Sequence, residues 1–150
     1  MALKQRIDDD LKAALLGGDR FAAQTLRGLK AAVLNEEVAL GRREEGLNDE
    51  EVEKIIAKEV KKRKESVALY EQNDRPELAE DEKKEASILS VYLPQQLGED
   101  EIKKIITDTI SELGVSGPQA MGQVIGAVKS QVGNTADGAT VARLVKEALN

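Results

Sequence analysis

Apolar side chains recur along this chain at the three- and four-residue spacing of a helix, almost without interruption. No stretch of useful length alternates between apolar and polar residues with the two-residue period of a strand. The spacing predicts seven helices, and the longest of them runs from about residue 49 to residue 73. We therefore expect an all-α chain.

Residues that cap or interrupt helices stand where the apolar pattern breaks. A Gly-Gly pair at 17–18 ends the first predicted helix, and Asp19 can cap the second. Asn48, with Glu51 three residues later, resembles a capping box at the start of the longest helix. Asp137 is placed to cap the last helix. These signals predict where four of the elements begin or end.

The composition changes close to Pro94, which must also end the helix that precedes it. Residues 1–90 hold 17 basic and 21 acidic side chains, whereas residues 91–150 hold only 5 and 7. We predict an N-terminal helical bundle of about four helices over residues 1–93, a linker at 94–98 and a C-terminal three-helix domain over 99–150.

Several residue types that carry chemistry are missing from the composition, because the chain has no Cys, no His and no Trp. Without Cys there are no disulfides, and without Cys or His a zinc site would need carboxylates alone. The same absence removes the Ser-His-Asp and Cys-His nucleophile systems. We expect no catalytic residue, no metal and no cofactor.

The net charge and the first residues of the chain indicate in which cellular compartment the protein is expected. The net charge is −6, which argues against general coating of nucleic acid but leaves room for a local basic stripe. The first ten residues lack the apolar region of a secretory signal, and no apolar run exceeds four residues. These features predict a cytoplasmic protein with no membrane contact.

Basic side chains concentrate on the longest predicted helix, which contains the run Lys-Lys-Arg-Lys at 61–64. Three lysines of this helix share one face at i, i+4 and i+7: Lys54, Lys58 and Lys61. Two interpretations stay open. The face could contact a phosphate backbone, or it could form ordinary helical pairs with acids such as Glu50 and Glu65.

Charged residues also fall within the apolar faces of three predicted helices. They are Glu36, then Glu59 and Arg63, and finally Glu85. Burial without a partner would be costly, so the four either converge on a site or form an internal salt-bridge network around Arg63. We favour the network, because one guanidinium can bind a carboxylate through two hydrogen bonds. Arg63 is then expected to be at least half buried.

Several short strings resemble motifs of the GatB/YqeY family and keep their order along essentially the whole chain. They are Thr25-Leu26-Arg27, Lys61-Lys62-Arg63-x-Glu65-Ser66, Tyr92-Leu93-Pro94-x-Gln96-Leu97, Met121-Gly122 and Ala136-Asp137-Gly138. The chain resembles the free-standing YqeY type. The related segment of GatB is the tail of a subunit of the glutamine-dependent tRNA amidotransferase. The resemblance implies an N-terminal helical domain and a C-terminal three-helix domain.

The resemblance also implies a non-catalytic module that binds tRNA or associates with an aminoacyl-tRNA amidotransferase complex. The cations available for tRNA are Lys54, Lys58, Lys61, Lys62, Lys64, Lys129, Arg143 and Lys146. The family is typically rich in lysine between the Met-Gly and Ala-Asp-Gly strings. This chain departs from that pattern with Gln123, Gln131, Gly133 and Thr135, and Lys129 is a partial replacement.

Two other functions remain open at this point. The wider family is associated with a carbon–nitrogen ligase activity that uses glutamine as the amide donor. That chemistry needs an activated Ser or Cys nucleophile, and the chain has no Cys, so we expect no such catalysis in isolation. The third possibility is a helical protein-interaction domain with no role in RNA binding.

Overall fold

The computed structural model describes residues 2–150, and the secondary structure of these residues is entirely helical. The α-helices are α1 (Ala2–Leu16), α2 (Arg20–Ala39), α3 (Asp49–Gln72), α4 (Pro76–Ser90), α5 (Glu99–Leu113), α6 (Met121–Val132) and α7 (Gly138–Leu149). Two short 3-10 turns, Pro118–Ala120 and Gly133–Thr135, flank α6. No strand occurs in the described residues, so the prediction of an all-α chain is confirmed.

The predicted capping residues occupy the helix starts. Asp19 and Asp137 each accept a hydrogen bond from the N–H three residues on, at 3.1 and 3.3 Å. Asn48 accepts from the N–H of Glu51, whose side chain accepts from the N–H of Asn48 in return. Two N–H groups that a helix start leaves unpaired are thereby satisfied at α3.

The chain divides into two compact units, Met1–Leu93 and Pro94–Asn150. In the first unit, apolar residues from α1 to α4 share one core, with Leu29, Val52 and Ile56 fully buried. In the second unit, α5, α6 and α7 share another core. That these units are a bundle of about four helices and a three-helix domain stays a prediction.

The segment predicted as a linker, 94–98, is hydrogen-bonded within the second unit. The side-chain amide of Gln96 donates to the carbonyl of Asn134 at 3.0 Å. The N–H of Leu97 donates to the carbonyl of Thr135 at 2.8 Å. The second half of this segment is therefore anchored to the 3-10 turn before α7.

α3 and α4 form the most extensive helix pair of the first unit. The buried residues of α3 are Val52, Ile56 and Val60, and all of them lie in its first half. Between residues 61 and 85, which we call the hairpin end, Ala79 is the one buried residue. The hairpin end thus projects the basic run of α3 beyond the apolar core.

Candidate functional site

The five predicted cations of α3 all lie on its exposed surface. Helical spacing places Lys54, Lys58 and Lys61 in one row that points away from the core, and we call these three the cationic row. Lys62 and Lys64 lie on opposite flanks of that row. At 1.5 Å per residue the row extends for about 10 Å along the helix.

Two of these five cations keep their charge fully available to solvent. Lys62 donates to Glu59 at 3.2 Å, and Lys54 lies 4.0 Å from the carboxylate one turn before it. Lys58 and Lys64 make no ion pair with any residue of the described chain. Exposed pairs of this kind contribute little to stability, so they compete weakly with an external anion.

A shallow groove of about 320 Å³ between α2 and α3 lies beside the cationic row. Lys54 and Lys58 line it together with two carboxylates, Glu36 and Glu51. Hydrogen bonds from Arg42, at 2.6 and 3.2 Å, hold the pKa of Glu51 below its ordinary value. Because these carboxylates repel an anion inside the groove, a phosphate would meet Lys54 and Lys58 on their outward side, in line with Lys61.

The three predicted cations of the second unit differ in their surroundings. Arg143 donates to the carboxylates of Glu99 and Glu147, and the hydrogen bond that it donates to Glu99 is the largest cause of its raised pKa. Lys129 and Lys146 are exposed and form no ion pair within residues 2–150. Two lysines therefore remain available in this unit, while Arg143 is neutralised locally.

Arg63 lies between two carboxylates at the hairpin end. Its Nη1 is 3.1 Å from Oε1 of Glu59, and its Nε is 3.2 Å from Oε2 of Glu85 on α4. The Arg63 side chain is 18% exposed. The structure thus brings three of the four residues singled out by the apolar pattern into one ion-paired group.

The fourth residue of that predicted group, Glu36, is placed differently. It is exposed on α2, and its neighbour Glu37 is the buried carboxylate of the helix. The reason is that the buried face of α2 includes Ala23 and Leu26 as well as Thr25, Leu29 and Val33, the three residues that flank Glu36 in the helical pattern. This rotates the centre of the face toward Glu37.

Glu37 is 5% exposed and binds two groups from separate parts of the first unit. Its Oε2 accepts hydrogen bonds from Nζ of Lys4 at 2.6 Å and from the N–H of Leu47 at 2.9 Å. The bond from Lys4 is the largest cause of a lowered pKa for Glu37, and burial opposes it. No pattern in the sequence predicted this site, although Leu47 stands as a lone apolar residue after a polar loop.

Tyr92, in the string Tyr92-Leu93-Pro94-x-Gln96-Leu97, is part of the core of the first unit. Its hydroxyl donates to Oδ2 of Asp10 at 2.6 Å, and the Arg6 guanidinium lies 4.8 Å above its ring. Burial, followed by the bond to Asp10, raises the pKa of Tyr92. These contacts fasten the end of α4 to α1, so this motif residue has a structural role.

The interior of the described chain offers no further polar site. Every buried side-chain nitrogen or oxygen there has a hydrogen-bond partner. In the same residues, no group of three or more Asp or Glu side chains is arranged to hold a metal ion. No helix in this part of the chain is long and apolar enough to cross a membrane.

Comparison with protein families gives a match over nearly the whole chain. The family described as "Yqey-like protein" matches residues 4–149. This range includes both units and all the cations considered above.

Among curated proteins, the similar sequences are fungal. A Clavispora lusitaniae protein is 28% identical over 133 residues, which cover 87% of this chain and 74% of that protein. Similar proteins of Lachancea thermotolerans and Kluyveromyces lactis are each 31% identical, over 73% and 85% of this chain and 58% and 67% of their own lengths. All three carry the name "Altered inheritance of mitochondria protein 41, mitochondrial".

These names correct one prediction from the sequence. A cytoplasmic location was expected, but the relatives are named as mitochondrial proteins, so that prediction is wrong. The distribution of apolar residues indicates whether a chain carries a secretory signal or a membrane-spanning helix, but it does not distinguish the cytoplasm from the interior of an organelle.

Proposed function

The chain belongs to the family of Yqey-like proteins, and from this premise we propose that it is a non-catalytic tRNA-binding module of the kind associated with tRNA amidotransferases. Its binding surface is the cationic row on α3. The flanking Lys62 and Lys64 extend that surface on either side.

The observation that carries the proposal is the row of exposed lysines with Lys58 at its centre. Lys58 has no ion pair in the described chain, and its neighbours in the row project in the same direction. Phosphate contacts of this kind fix a protein on an RNA backbone without reading its sequence. The row is long enough for about two or three such contacts.

The aromatic side chains support backbone contact over base recognition. Recognition of single-stranded bases relies on exposed aromatic rings for stacking. Tyr92 is buried, and Lys84 lies 4.4 Å from the ring centre of Phe21. Two of the chain's three aromatic rings are thus occupied by contacts within the protein, and the third, Tyr70, is partly buried on α3, so we expect the module to recognise charge and shape.

Fluorescence anisotropy with labelled bulk tRNA tests the proposal on the full chain. The double variant Lys58→Glu/Lys61→Glu should bind at least about tenfold more weakly at low salt, because both cations become repulsive anions. Lys103→Glu/Lys104→Glu is the matched control, since these two lysines are exposed on α5 and the net charge changes equally.

The control should change the affinity by less than about threefold, because its cations lie outside the proposed surface. Equal losses in both variants would show that only net charge matters, and the assignment to α3 would be rejected. No tRNA binding by the unmodified chain at low salt would overturn the proposed function itself.

A further inference from the structure

A groove of about 710 Å³ lies between α3 and α4, on the side of α3 that carries Lys64. Six side chains line it, and we call it the hairpin groove. They are Lys64, Val67, Lys83, Ala86, Ser87 and Ser90. Ammonium and hydroxyl groups both donate hydrogen bonds, and no side chain of this set is a carboxylate.

The lack of carboxylates distinguishes the hairpin groove from three other grooves on the surface of the first unit. Each of those three is lined by two carboxylates, in a chain that has 28 acidic residues. They are Asp8 and Glu37 between α1 and α2, Glu36 and Glu51 between α2 and α3, and Glu44 and Glu45 in the loop after α2. Because like charges repel, the hairpin groove is the one of these four that favours an anion.

Lys64 supplies the free positive charge of the hairpin groove. It is exposed and forms no ion pair with any residue of the described chain. Lys83, by contrast, is already paired, because its Nζ lies 3.0 Å from Glu71 and 3.5 Å from Glu80. Glu71 is seven residues from Lys64 on α3, and Glu80 is seven residues from Ser87 on α4. Each separation is about 10 Å along a helix, so salt at about 0.1 M screens these carboxylates.

Ser87 supplies a free hydroxyl from the opposite helix. It is exposed on α4, and its hydroxyl makes no hydrogen bond within residues 2–150. The hydroxyl of Ser90 already donates to the carbonyl of Ala86 at 2.7 Å, so its proton is not available. The groove therefore offers one unpaired ammonium and one unpaired hydroxyl donor, from two different helices.

We propose that the hairpin groove is a phosphate subsite of the tRNA surface, in which Lys64 and Ser87 bind one internal phosphodiester of the RNA backbone. This inference rests on the proposed function, because the same strand contacts the cationic row. Lys64 lies about 4.5 Å beyond Lys61 along the axis of α3, on the side toward α4. A strand bound at Lys61 thus crosses α3 toward α4.

The charge of the groove favours an internal phosphodiester over a terminal phosphate. A phosphodiester carries a single negative charge, which one lysine balances. A terminal phosphate monoester carries about −1.5 to −2 at neutral pH and would need a second free cation. Val67 is partly buried and Ala86 is buried, so the floor is apolar and suits the carbon atoms of a ribose.

Fluorescence anisotropy of the full chain with labelled bulk tRNA, at about 0.1 M salt, tests the cation. Lys64→Gln should bind about fivefold more weakly, and its slope of log affinity against log salt should be shallower by about one unit. Lys103→Gln is the matched control, since Lys103 is exposed on α5 and the net charge changes equally. The control should change the affinity by less than about twofold and leave the slope as it is.

The hydroxyl is tested by a variant that leaves the charge unchanged. Ser87→Ala should weaken binding at least about threefold without changing the salt slope, because it removes a hydrogen bond and no cation. Ser111→Ala, at an exposed position of α5, should keep the full affinity. Circular dichroism of every variant checks that the helices remain intact.

Removal of the 5′ phosphate from the tRNA distinguishes the two sources of phosphate. The affinity should stay the same, whereas a loss as large as that of Lys64→Gln would overturn the assignment to the backbone. Full affinity in Lys64→Gln or in Ser87→Ala would overturn the subsite. If Lys58→Glu/Lys61→Glu still weakens binding in that case, the proposed function stands without it. No tRNA binding by the unmodified chain would overturn both.

Discussion

The Nε of Arg63 on α3 donates a hydrogen bond of 3.2 Å to Oε2 of Glu85 on α4. The same guanidinium also binds the carboxylate of Glu59, one turn earlier on its own helix. Arg63 itself lies beyond Val60, the last buried residue of α3. Ion pairs therefore join the two helices in a region where apolar contact is sparse.

Replacement of Arg63 should be far more costly than replacement of the lysine beside it. Arg63→Ala leaves two partly buried carboxylates without their cation, and we expect the free energy of unfolding to fall by about 3 kcal/mol. Lys62→Ala removes a cation from the same Glu59, but the Lys62 side chain is 61% exposed. The Lys62→Ala variant should therefore lose less than about 1 kcal/mol of unfolding free energy. Urea denaturation of both variants gives the comparison, and equal small losses would show that solvent screens the Arg63 pairs.

Glu37 should make stability depend on pH below its ordinary pKa. The folded chain holds the pKa of Glu37 below the usual 4.5, so the unfolded chain takes up its proton first as the pH falls. The contribution is therefore present above pH 4.5 and is lost as the pH falls through the folded value. Glu37→Gln should cost about 1–2 kcal/mol at neutral pH, and less at about pH 3.

The exposed neighbour provides the control for this pH effect. Glu36→Gln should leave the unfolding free energy nearly unchanged, since Glu36 is exposed and has no ion pair in the described residues. A constant cost of Glu37→Gln between about pH 3 and pH 7 would contradict the role of ionised Glu37.

Gly46 should tolerate a side chain less well than Gly41. Both have positive φ, +74° and +68°, where an L-residue costs about 1–2 kcal/mol. At Gly46 a Cβ would also lie 3.0 Å from Nζ of Lys4 and 3.1 Å from Oε2 of Glu37. Thermal unfolding should show a larger loss for Gly46→Ala than for Gly41→Ala. Equal losses would mean that the Lys4–Glu37 pair moves aside without cost.

The salt dependence of tRNA binding should report how few phosphates are contacted. With about three contacts, the slope of log affinity against log salt should be near −2 for single strands and near −3 for duplex. Adding Lys58→Glu should make the slope shallower by about one unit. A slope that Lys58→Glu leaves unchanged would place the phosphate contacts elsewhere.

Local signals in the sequence were sufficient to predict the helices. Caps such as Asn48 and Asp137 act within one turn, so the residues near them decide where a helix begins. The apolar spacing did not predict the 3-10 turn that the structure separates from the start of α6, at Pro118–Ala120. Proline at 118 is compatible with either start, and the choice depends on packing against α6 and α7.

The candidate sites were less predictable because they depend on contacts between distant segments. The spacing within α2 points to Glu36, whereas the position of Lys4 on α1, 33 residues earlier, makes Glu37 the buried carboxylate. For the cations, the sequence predicts which lysines share a face of α3, but it does not predict their ion-pair partners. Arg143 is paired with Glu99, 44 residues away, and no local sequence pattern predicts that pair.

The sparse apolar contact at the hairpin end has a consequence for amide hydrogen exchange. Residues 61–85 have Ala79 as their one buried side chain, so this segment can unfold locally while the core around Ile56 stays closed. Its amides should exchange at a lower opening free energy than those near Val52. An anion seated across Lys61 would also suppress such openings, so its binding would slow exchange on the far side of the hairpin, where it makes no contact.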